Sequence, residues 1–145
     1  MHGLKITLII KIGFTVILWA TPLLLFTDSF MTFLGFPPLG PLIFRQLLGM
    51  AMFSLVLGYL LGLNSVLNGN YPSITILVGI LSNGGSFILL LIAAMGSAWE
   101  QWGMFAKWVM WISLFATGAI TGGLVAFGPF RKQDANDLNK QKVRT

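Results

Sequence analysis

Four long apolar runs, parted by short polar breaks and followed by a polar, basic tail, dominate the chain. They cover Ile6 to Phe26, Leu42 to Leu63, Ile74 to Met95 and Phe105 to Phe127. At about 1.5 Å per residue the second run reaches roughly 33 Å as a helix, enough to cross a hydrocarbon core of roughly 30 Å. With 56% of its 145 residues hydrophobic and 9% charged, the chain lacks the polar surface that a water-soluble domain needs. The expected fold class is therefore all-α: an integral membrane antiparallel four-helix bundle over residues 1–130, followed by a basic cytoplasmic tail over 131–145. A cleavable signal peptide is the competing reading of the first run. Its apolar stretch is too long for one, and no clear small-x-small cleavage site follows, so it is read as a retained first span.

Charge sets the expected orientation. An even number of spans puts both ends on one side, and those ends hold Lys5, Lys11, Arg131, Lys132, Lys140, Lys142 and Arg144, seven of the nine basic residues. Arg45 and Lys107 flank the loops opposite. Positive charge stays on the cytoplasmic side during insertion, so both termini are expected in the cytoplasm. Charge confined to the ends is topology, not a nucleic-acid footprint, so no nucleic-acid partner is expected.

The breaks have local logic. Asn68-Gly69-Asn70-Tyr71-Pro72 reads as a tight turn, since Gly and Asn tolerate positive φ and Pro cannot continue a helix. In the first loop, Thr27-Asp28-Ser29 offers N-cap side chains, Phe30 to Leu34 can form a turn or two, and Gly35 would close it with a left-handed cap. Pro41 suits the first turn of the next helix. Trp99, Trp102, Trp108 and Phe105 are expected to form an aromatic belt at the headgroup level.

Small and polar residues recur at helical spacing within the runs. Gly79, Ser82, Asn83 and Ser86 share one face of the third helix. Ser54, Gly58 and Gly62 repeat on the second helix, and Ser113, Thr117 and Thr121 on the fourth, beside Gly118 and Gly122. Such seams allow close helix packing, with Asn83 expected to hydrogen-bond to a neighbouring helix. The alternative is a small cavity or pore lined by Asn83, with Gly84 and Gly85 loosening the backbone beside it; Asn83, Ser82, Ser86, Thr117 and Thr121 are the candidates for a polar site or for helix packing.

Ionisable residues within spans are the usual pointers to function in membrane proteins, and they are scarce here. Lys11, near the cytoplasmic end of the first run, is expected to snorkel to water. Arg45, one turn into the second run, has Asp28 and Glu100 as available acids, with Glu100 favoured because the tryptophans beside it would exclude water. Catalytic signatures are missing: His2 is the only histidine and there is no cysteine, which removes a Ser/His/Asp set, HExxH and thiolate or paired-histidine metal sites. No acid lies within a run, which argues against a proton-coupled carrier. No catalytic residue and no cofactor is expected.

Leu34-Gly35-Phe36-Pro37-Pro38, then Phe44-Arg45-Gln46-Leu47-Leu48-Gly49, then Gly58-Tyr59, resemble the first-loop and second-helix pattern of small bacterial four-helix membrane proteins of the DoxX-like group. The resemblance covers about a third of the chain. It implies a four-helix inner-membrane bundle in which Arg45 and Gly49 recur, and proteins regarded as accessory partners in membrane redox assemblies. The expected function is a non-enzymatic accessory or assembly component of an inner-membrane complex, whose partners are the lipid bilayer and other membrane subunits or further copies of the chain. An oligomeric channel or small-solute transporter, and a lipid- or isoprenoid-modifying enzyme using Arg45 and Glu100, are the alternatives.

Overall fold

The computed structural model describes residues 2–38 and 40–128, and the tail expected over 131–145 lies outside them. Among the described residues the fold is all-helical. Four helical stretches, His2–Leu25, Leu42–Leu67, Ser73–Met95 and Met104–Phe127, are long and apolar enough to cross a membrane. The first is composite: α1 (His2–Thr15) passes through a π-helical turn, Val16–Ala20, into α2 (Thr21–Leu25). A short α3 (Asp28–Phe33) follows, then α4 (Leu42–Leu67), α5 (Ser73–Met95) and α6 (Met104–Phe127).

The π-turn has a local cause. Pro22 has no N–H to give the Leu18 carbonyl, and the ladder slips by one residue there, with the Thr21 N–H reaching back to the Val16 carbonyl. The chain then leaves the helix at Phe26. Thr27 caps α3, its hydroxyl accepting from the Phe30 N–H. Gly35, at φ +86°, ends it in a Schellman motif, with the Phe36 N–H on the Met31 carbonyl and the Gly35 N–H on the Thr32 carbonyl. The same motif closes α4: Gly69 adopts φ +78° and the Asn70 N–H reaches the Ser65 carbonyl. Helix α4 runs to Leu67, past the expected Leu63, because Ser65 returns its hydroxyl to the Leu61 carbonyl and Asn68 bonds Asn64, so these polar residues do not break the helix. Pro41 stands one residue earlier than expected, as the N-cap of α4.

The long helices form a bundle-like ring in which α1 lies between α4 and α6, α5 packs closely on α6, and α5 meets α4 only lightly. The two ends of this ring differ. At the end holding the Asn68–Pro72 turn, Leu4, Leu8, Tyr59, Val66, Ile76, Ile120 and Leu124 form one buried cluster. Glycine makes it tight: a Cβ on Gly79 would lie 2.7 Å from Leu124 Cδ1, and one on Gly123 3.1 Å from Thr7 Oγ1. Tyr71 packs on the edge of this cluster, where desolvation pushes its phenol pKa up and keeps it a neutral hydroxyl. At the opposite end, under the two longer loops, the ring is hollow.

Outward faces carry large apolar side chains, among them Leu61, Ile74, Leu81 and Phe115. The small residues of the second run divide. Gly62 backs closely onto Thr75, whereas Gly58 meets nothing and Ser54 is exposed, its hydroxyl on the Met50 carbonyl. The expected aromatic belt divides as well. Trp99 is buried, edge-on to Trp111, and Trp102 sits 6.1 Å from the Phe36 ring, while Phe105 and Trp108 face outward.

Candidate functional site

A cavity of about 270 Å³ opens inside the ring where all four long helices contribute. Lys11, Phe14, Thr15 and Trp19 come from the first, Leu48, Met52, Leu55 and Tyr59 from α4, Ser82, Asn83, Ser86, Leu89 and Leu90 from α5, and Thr117 from α6. The polar members share one level. Lys11 stands nine residues into its helix, Asn83 ten into α5, Tyr59 eight before the end of α4 and Thr117 ten before the end of α6. At 1.5 Å per residue this is about 12 to 15 Å from the tight end of the ring.

Lys11 is 3% exposed, and its ammonium lies 4.2 Å from the centroid of the Tyr59 ring. The expectation that it snorkels to water is corrected. Leu4, Leu8 and Lys11 follow i, i+4, i+7 spacing, so the lysine shares the face that buries the two leucines. The helix also begins at His2, earlier than Ile6, which sets Lys11 deeper than expected. No carboxylate and no hydrogen-bond acceptor meets the ammonium among the described residues; the cation–π contact, worth about 2 kcal/mol when desolvated, is its compensation.

Tyr59 joins α4 to α5 through a 2.8 Å hydrogen bond between its hydroxyl and that of Ser82. Asn83, 6% exposed, donates to the Gly79 carbonyl at 2.7 Å. The bond expected from Asn83 to a neighbouring helix is thus made within α5, and Ser82 makes the cross-helix one. Asn83 keeps Oδ1 and a second amide hydrogen unpartnered among the described residues. Ser86 and Thr117 return their hydroxyls to the Ser82 and Ser113 carbonyls of their own helices. Of the five residues expected in a polar face or cavity, Ser82, Asn83, Ser86 and Thr117 meet in this one; Thr121 stands apart, donating to the Thr117 carbonyl. The sequence argument passed over Lys11 and Trp19 as cavity residues, although the spacing of Lys11 from Leu4 and Leu8 carried the signal.

Arg45 belongs to a different place. Its guanidinium, buried although one turn into α4, reaches Asp28 Oδ1 at 2.7 Å through Nη1 and the Phe26 carbonyl at 2.7 Å through Nη2. That carbonyl is one of those left open where the first long helix ends, so Arg45 caps it and ties the start of α3 to α4. The preference for Glu100 over Asp28 is corrected: Glu100 is exposed in the loop between α5 and α6, beside Pro37, Ser97 and Gln101. What joins that loop to the first one is backbone. The Gly103 N–H donates to the Gly35 carbonyl at 2.8 Å, an approach so close that a side chain on either glycine would strike the other.

Among the described residues no three His, Cys, Asp or Glu side chains gather as a metal ion would require. Chemically, the cavity offers one cation, one amide and several hydroxyls within an apolar wall. That set suits binding a polar or anionic group. No family model, curated protein or solved structure matches the chain, so the site stands on its own geometry.

Proposed function

We propose that the chain is a non-enzymatic accessory component of a bacterial inner-membrane complex, an antiparallel four-helix bundle with both termini in the cytoplasm. Its own contribution is to hold the polar end of a lipid-soluble ligand in the Lys11 cavity. The observation that carries this reading is the ammonium of the buried Lys11, which among the described residues has an aromatic ring but no acid beside it. Ionisable side chains at such depth are costly and are kept where they bind or relay. A ligand supplying negative charge or strong acceptors offsets that cost.

The accessory role rests on the DoxX-like resemblance around Arg45 and Gly49, and on the outward face of α4. There Ser54 and Gly58 leave room for a helix of another subunit or of a second copy. Purification in mild detergent from the native membrane, followed by native mass spectrometry, tests both parts. The expected result is a complex that carries a small molecule, with Lys11→Met losing the molecule and keeping the partner subunits. Solute flux or lipid turnover by the reconstituted chain alone would replace this reading with the transporter or the enzyme.

A further inference from the structure

The Lys11 cavity has a neighbour. Trp19 and Leu48 also line a second cavity, of about 350 Å³, that lies under the two longer loops. Leu23, Phe26, Met31 and Met110 are among its walls, and among the described residues no charged side chain is. The two volumes fall together within the range of pockets that hold whole small-molecule ligands. Trp19 stands at the junction because the π-turn ahead of Pro22 carries it. One compartment therefore has a cationic, hydrogen-bonding head end and the other a predominantly apolar end.

We propose that the ligand is a single-chain carboxylate amphiphile of the fatty-acid class, its carboxylate at Lys11 and Asn83 and its chain running past Trp19 and Leu48 into the outer cavity. The proposal rests on the binding role given to Lys11 and adds the chemical class and the direction. A carboxylate supplies the charge that the ammonium lacks, which a neutral carbonyl does not, and charge-assisted hydrogen bonds are the stronger ones. Asn83 brings a further N–H donor for the second oxygen. A chain of methylenes fits the outer cavity, whose walls offer mainly dispersion contacts, with the indoles of Trp19 and Trp102 as their polar groups. Entry is between α4 and α5. These two helices touch at Gly62 with Thr75 and at Tyr59 with Ser82, near the tight end, and are the most lightly packed neighbours in the ring.

The test uses the full chain in detergent and a palmitate analogue carrying a photoreactive diazirine at the end of its chain. Labelling is expected at Phe26, Met31 or Met110. Unlabelled palmitate should compete at least about tenfold better than hexadecanol, and Lys11→Met should lower labelling about tenfold while Lys11→Arg retains most of it. Met110→Trp, which fills the outer cavity, should weaken palmitate and spare octanoate. Label on outward residues such as Leu81 or Phe115, with dependence on Lys11 kept, overturns the placement of the chain and leaves the binding role standing. Equal competition by hexadecanol, again with dependence on Lys11, overturns the carboxylate. Binding that ignores Lys11→Met removes the binding role itself.

Discussion

Two cations within helices have opposite circumstances, and the difference decides what each does. Arg45 is buried with a carboxylate and a carbonyl oxygen each at 2.7 Å, whereas Lys11 is equally buried with only a ring among the described residues. Replacing Lys11 with Met removes a buried charge compensated by a ring alone among the described residues and should raise the thermal stability of the ligand-free protein by about 1 kcal/mol, a gain bought at the expense of binding. A loss of stability in differential scanning fluorimetry would mean that the ammonium is already compensated. Arg45 behaves the other way. Asp28 is 64% exposed, so Asp28→Asn should cost under about 1 kcal/mol. Arg45→Met, which strands the Phe26 carbonyl and empties a buried site, should cost about 2 to 3 kcal/mol. Double-mutant cycles are expected to give measurable coupling of Arg45 with Asp28 and none with Glu100; the reverse order would contradict the observed pair. Sequence placed Arg45 near both acids and could not choose between them, because the choice depends on where the chain turns after Phe26.

At the level of elements, the same residue type serves different ends. Gly35 needs its glycine twice, for φ +86° and for the Gly103 backbone against it, so Gly35→Ala should destabilise by at least about 2 kcal/mol. Gly58 sits in the middle of α4 with open space around it, and Gly58→Ala should stabilise the isolated protein by up to about 1 kcal/mol through helix propensity. The comparison is made by thermal unfolding in detergent. If Gly58→Ala instead disrupts a complex in native membranes while the isolated chain gains stability, that face is where another helix docks. Helix ends were legible from their punctuation: Thr27, Gly35, Gly69 and Pro72 mark them in the sequence and in the structure alike. The seam on the second run was not. Ser54, Gly58 and Gly62 share a four-residue spacing, yet the drift of a 3.6-residue helix takes Gly62 to Thr75 and leaves the other two outside.

The whole molecule is asymmetric along its axis, with a glycine-tightened core at one end and cavities at the other. The proposed orientation puts the tight end at the cytoplasm and the loops outside. Single cysteines in this cysteine-free chain test it: a membrane-impermeant maleimide added to intact cells should label Gln101→Cys and leave Asn136→Cys untouched, and the opposite pattern would invert the topology. The sequence by itself determined the number of long helices, their limits to within a few residues and their caps. Those follow from apolar run length and from backbone chemistry that acts over three or four residues. Only the tertiary structure decided that Lys11 turns inward onto Tyr59, that Asp28 holds Arg45, and that Ser82 rather than Asn83 bridges two helices. Each of these depends on how helices far apart in the chain rotate against one another, and lipid-compatible side chains all around every helix leave that rotation to close packing at a few glycines, which no single helix specifies alone.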